Sequence, residues 1–134
     1  MDDLINILHG GNHSLVVANG DICTFDQRGI ADLYNLLCTD PGFLTGASIA
    51  DKVVGKGAAA LAILGGIREL YADIISEPAL ELLRENAVRT TYGNKVSHII
   101  NRQGTGLCPV EQLCESCMTA AECLPYLKEF MTRT

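Results

Sequence analysis

Apolar positions change their spacing several times along the chain, and each change marks an element. Leu4, Ile5 and Leu8 recur at helical spacing over Asp2 to His9, and Gly10-Gly11 stops that short amphipathic helix. Ser14-Leu-Val-Val-Ala and Asp21-Ile-Cys-Thr-Phe flank Asn19-Gly20, a pair that tolerates positive φ at both centres of a type I′ turn. The two runs therefore predict an antiparallel hairpin. Ile30 to Cys38 turns Ile30, Leu33, Tyr34, Leu36 and Leu37 inward as a helix, which Asp40-Pro41-Gly42 ends. The stretch Ser48 to Leu64 is apolar nearly all round and predicts a buried central helix, with Ser48 and Asp51 spaced as a capping box.

Glu69 to Ile75 reads as a buried strand, Ser76 to Glu85 as a helix capped by Ser76, and Val88 to Tyr92 as the next strand. Such a βαβ unit requires parallel strands and a right-handed crossover. Only Gly93-Asn94-Lys95 separates it from the apolar run Val96 to Ile100, too little for a crossover, so that run is expected to fold back antiparallel. Beyond the polar loop Asn101 to Gly106 the chain is helical from Pro109 to Met131. A break is expected near Ser116 to Met118, where Thr119 and Glu122 offer a second capping box. Together the elements predict one α/β domain over residues 1–134, a three-layer sandwich with a mixed five-stranded sheet.

Composition narrows the partners. A chain of 134 residues, 48% hydrophobic, can remove about two-thirds of its unfolded surface from water and needs no staple. Ten basic against 16 acidic side chains give a net charge of -6, which argues against nucleic acid and anionic membranes, surfaces that clustered Lys and Arg would meet. The start Met-Asp-Asp-Leu lacks the basic and apolar regions of an export signal, and Gly57 to Ile67 is far short of the roughly twenty residues of a membrane span. A cytoplasmic location follows as the expectation, and there the six cysteines should be thiols or metal ligands rather than disulfides. Cys23 and Cys38, among apolar neighbours, read as core packing.

Candidate chemistry gathers at element ends. On a central helix Ser48, Lys52 and Lys56 would repeat every four residues and form one polar stripe, beside Asp51. Two lysines so spaced repel, and the positive end of the helix dipole adds to them, so a small anion such as phosphate or carboxylate would compensate. Alternatively both lysines snorkel to solvent while Asp51 caps the helix. Ser76 and Glu77 close a strand at the edge where open α/β sheets hold ligands, although Ser76 also suits a plain N-cap. Asn101 and Arg102 open a glycine loop in which the arginine can fork two hydrogen bonds to an anion. The candidates for catalysis are accordingly Asp51, Lys52, Lys56, Ser76 and Glu77. Those for holding the ligand are Ser48, Lys52, Lys56, Ser76, Asn101 and Arg102. His98 reads as a half-buried structural histidine in a strand, and His9 and His13 carry no motif.

Cys108, Cys114, Cys117 and Cys123 form a second constellation, with five, two and five residues between them. Only the central pair has the gap common in zinc knuckles and iron-sulfur ligand sets, yet a helix break between them lets four thiols converge on zinc or an iron-sulfur cluster. Otherwise they pack helices.

The layout of a hairpin, a helix, a strand, a Glu-Pro at a helix start and another strand resembles cytidine-deaminase-like proteins. Ala72 to Gly93 looks like the strand, Pro-Cys-x-x-Cys helix and strand of those enzymes, with Pro78 on the motif's proline. The two zinc cysteines then fall at Ala79 and Leu82, and Ser48 to Lys56, where a His or Cys before the catalytic Glu belongs, has neither. Ala50 to Lys56, Asn101-Arg102 and Gly106-x-Cys108-Pro109 make the whole chain similar to a bacterial and archaeal family of deaminase-like fold and unknown function. The resemblance implies the fold, no zinc at the deaminase position, and no metal-hydroxide deamination. Three functions remain open: a zinc-free site for a small phosphorylated or carboxylated ligand, a metal or redox module built on the cysteines, and a self-associating protein.

Overall fold

Leu4 and Leu8 lie one helical turn apart, and in the computed structural model both are buried on α1 (Asp2–Gly10). The structure describes residues 1–27, 29–100, 104 and 106–133. β1 (Leu15–Asn19) and β2 (Asp21–Phe25) form the expected hairpin, with Asn19 paired to Asp21. The turn is not type I′, because Gly20 takes positive φ (83°) and Asn19 does not. Asn19 is held instead by its side chain, which donates to the carbonyls of Phe43 (3.0 Å) and Thr45 (2.9 Å).

After α2 (Ala31–Thr39) and the single turn α3 (Pro41–Leu44), the structure departs from the expected central helix. Ser48–Val54 is a strand, β3, and the helix α4 covers only Lys56–Gly65. Ile49, Val53 and Val54 are β-branched and suit a strand, and Gly55, extended at φ −95° and ψ −177°, separates the two elements. A continuous apolar run fits a buried strand as well as a buried helix, and here it contains one of each. Gly66, in the left-handed region at φ 81°, ends α4.

β4 (Glu69–Ser76) and α5 (Glu77–Glu85) follow as expected, but β5 runs without a turn from Arg89 to Val96. No antiparallel strand spans Val96 to Ile100. Val96 instead pairs in parallel with Ser76, and Ile100 makes one isolated antiparallel bridge to Leu107. Gly93, read as a turn, is a close-approach position: a Cβ there would stand 3.0 Å from the Asp73 carbonyl oxygen. His98 lies half-buried in a bend beyond β5, not in a strand. α6 (Pro109–Cys114) and α7 (Ala120–Arg133) flank the expected break, and Thr119 accepts the Glu122 N–H (3.2 Å) while donating its hydroxyl to the Glu122 carboxylate (3.3 Å).

The sheet has the order β2-β1-β3-β4-β5, with β1 antiparallel to both neighbours and β3, β4 and β5 parallel. It is an open, mixed five-stranded sheet, though β3 takes the place of the expected final strand. Both crossovers step the same way along it, so a common hand sets α4 and α5 side by side on one face, where they pack together. The main core fills that face, and α7 and α6 pack on α4. On the opposite face α1 covers β1 and β3, enclosing Leu4, Leu8, Val16 and Ala50. Cys23 and Cys38 are exposed rather than core residues: β2 is an edge strand with four of five residues exposed, and Cys38 lies near the end of α2. Among the described residues no helix is long and apolar enough to cross a membrane.

Candidate functional site

β3 and β4 end side by side, Val54 paired with Ile75, so α4 and α5 start next to each other above the carboxyl ends of two parallel strands. Their first turns carry unpaired N–H groups and the positive ends of two helix dipoles. Ser76 caps α5 as expected, its fully buried hydroxyl accepting from the Ala79 N–H at 3.3 Å.

The crevice between the two helix starts is filled by Glu111 of α6. The residue is 4% exposed. Oε1 accepts the backbone N–H of Lys56 at 2.6 Å and the Ser76 hydroxyl at 3.4 Å, and Oε2 accepts the Ile99 N–H at 3.2 Å. Two glycines let α6 come this close. A Cβ on Gly55 would stand 2.9 Å from Glu111 Oε1, and one on Gly57 would clash with Val110. The Lys56 ammonium turns away from the carboxylate and donates to the carbonyls of Glu115 (3.3 Å) and Cys117, pinning the turn after α6.

The expected stripe of Ser48, Lys52 and Lys56 does not form, because the spacing of four shares a helix face only if all three stand on one helix. Lys52 lies on β3 and donates to Asn12 Oδ1 at 2.6 Å. Ser48, at the other end of β3 from Lys56, donates to Glu69 Oε1 at 2.8 Å and accepts from Arg68 at 3.3 Å, so it caps no helix. Asp51 is in the strand too, 8% exposed, opposite Leu15 and Ala72, and accepts the Val53 N–H at 3.3 Å. Burial pushes its carboxyl up to about 8, with Asp73 and Asp32 adding to the rise. Glu77 is exposed and 3.9 Å from the Lys95 ammonium. Asn101 and Arg102 lie outside the described residues.

Of the cysteine set, Cys114 and Cys123 are fully buried, Cys117 nearly so, and Cys108 half-buried at the start of α6. The Cys123 thiol hydrogen-bonds with both Cys114 and Cys117, so three of the four converge. That bond lowers Cys114, whereas burial and the Cys123 thiol push Cys117 up to about 11, and the bond with Cys114 raises Cys123. Among the described residues no group of three or more His, Cys, Asp or Glu is arranged to hold a metal ion.

Two features escaped the sequence reading. Glu111 shares a face of α6 with the buried Val110 and Cys114, so a carboxylate at that spacing was the available sign. His9 Nε2 lies 2.7 Å from Asp73 Oδ1, which also accepts the Tyr71 hydroxyl at 2.8 Å, and this tie between α1 and β4 leaves no local trace in the sequence.

These features define an open mixed α/β protein whose crevice, at the carboxyl ends of parallel strands, is closed by an internal carboxylate. The chain belongs to the TM1506 family, a domain of unknown function (DUF1893), whose model matches residues 3–131. It is similar to the crystal structure of a DUF1893 family protein (TM1506) from Thermotoga maritima, with a TM-score of 0.88 at 24% identity, over 96% of this chain and 87% of that one. No curated protein matches.

Proposed function

We propose that the chain is a cytidine-deaminase-like domain in which an internal carboxylate stands where the deaminase zinc would be. Its crevice then takes a small phosphorylated or carboxylated, nucleotide-like ligand in the cytoplasm, whose anionic group must displace the Glu111 carboxylate from its donors. The observation that carries this reading is the set of donors around Glu111: the Lys56 and Ile99 N–H groups and the Ser76 hydroxyl, from three separate segments, all aimed at one carboxylate. Donors so arranged at helix starts suit carboxylate or phosphate oxygens whichever molecule supplies them. The deaminase-like part draws support from the hairpin, the β3-α4-β4-α5-β5 order and Glu77-Pro78 at the start of α5, with Ala79 and Leu82 buried at the motif's cysteine positions. Ser76 serves there as a donor rather than a nucleophile, because its hydroxyl is already engaged with Glu111 and Ala79.

Glu111→Ala tests the reading. The variant leaves buried donors unpaired and should melt lower, each costing about 1–3 kcal/mol. Inorganic phosphate or acetate, against chloride at matched ionic strength, should then raise its melting temperature in proportion to occupancy while the wild type responds far less. A folded Glu111→Ala that responds to neither anion more than the wild type does sinks the reading.

A further inference from the structure

β5 ends the sheet with eight residues, six of them exposed, and among the described residues no strand pairs with its outer edge. An edge of this length is ordinarily blunted by proline, a bulge, a covering element or charged side chains, of which β5 carries Arg89 and Lys95 near its two ends. β5 contains no proline, and an open groove of about 560 Å³ lies between it and α5, lined by Glu77, Leu80, Glu81, Arg84, Glu85 and Lys95. We propose that this edge and groove receive a second copy of the chain, joined β5 to β5 antiparallel about a two-fold axis perpendicular to the sheet.

Two considerations select that occupant. The first is spacing. α5 packs over β4 and β5, and strands in a sheet lie about 4.8 Å apart, so the α5 helices of two joined copies stand about 10 Å from each other, the distance at which helices pack. The second copy's α5 therefore fills the groove without any rearrangement of either chain.

The second is charge. One end of the groove carries Glu77, 3.9 Å from Lys95, and the other carries Arg84 and Glu85. A two-fold axis reverses one copy against the other, so Glu77 meets Arg84 of the second copy and Lys95 meets its Glu85. Each pairing occurs twice, as in any isologous interface. Glu81, in the middle of the stripe, faces its own counterpart with no cation beside it, whereas at each end Glu77 comes level with Glu85 of the second copy and the two carboxylates are offset by Arg84 and Lys95.

Sedimentation velocity of the full chain over a concentration series tests the proposal. The wild type should form a dimer. Arg84→Glu, which sets like charges opposite Glu77, should weaken it by about tenfold or more, and adding Glu77→Arg should restore it. Glu81→Gln should tighten it. All three positions are exposed, so circular dichroism should show unchanged folding. A wild type that stays monomeric throughout, a dimer indifferent to Arg84→Glu, or a monomer that instead captures basic peptides overturns the proposal.

Discussion

Asp51 is a buried carboxyl on β3, and replacing it with Asn removes its charge while keeping an oxygen for the Val53 N–H. In the folded chain burial pushes its carboxyl from an ordinary 3.8 up to about 8, and each tenfold change in proton affinity is worth about 1.4 kcal/mol. Between those values the folded state keeps a proton that the unfolded chain has released. Stability is therefore highest below the unfolded value and falls as pH rises, until the whole contribution is lost above the folded one. The loss approaches about 6 kcal/mol before relaxation of the surroundings reduces it. Urea unfolding of wild type and Asp51→Asn from about pH 5 to about pH 9 reads this, because titrating groups not coupled to Asp51 cancel in the difference. The variant should already have gained on the wild type at about pH 5, should gain steadily up to about pH 8, and should level off above it. A difference that stays flat across the range, or a variant less stable at about pH 9, refutes the argument that burial without a countercharge governs this carboxyl.

Gly57→Ala places a methyl against Val110 and should cost about 1–3 kcal/mol, with faster hydrogen exchange confined first to α6; an unchanged melting temperature contradicts that packing. In the native protein a maleimide should label Cys23 and Cys38 quickly and reach Cys114, Cys117 and Cys123 only on unfolding, as timed alkylation with mass spectrometry would record.

Local signals were read well where their meaning stayed local. The runs on both sides of the turn pair Asn19-Gly20 gave the hairpin, and Ser76 and Thr119 cap their helices because a cap needs only the next three residues. Ser48 to Leu64 failed because hydrophobicity without period cannot separate a buried strand from a buried helix, and the lysine stripe failed with it. The expected sheet had five strands, but the run Val88 to Tyr92 continues through Gly93 to Val96 as β5, the run Val96 to Ile100 forms no strand, and the missing strand was hidden in that apolar stretch. The site was half legible. Lys56 and Ser76 do meet at the crevice, although Lys56 contributes its backbone N–H rather than its charge. Glu111 was not legible, since its partners lie 55 and 35 residues earlier.

That separation has a consequence for the order in which the chain assembles. Every strand of the sheet and both crossover helices are complete by Val96, whereas the carboxylate that closes the crevice arrives only with α6. During synthesis, which proceeds from the N-terminus, the sheet can pair while the starts of α4 and α5 still bind water. Emergence of Pro109–Cys114 from the ribosome is then the step that dries this crevice. A nascent chain arrested before that point should hold a formed sheet and a wet, anion-accepting mouth. Seating α6 makes roughly the last fifth of the polypeptide the part that commits the rest.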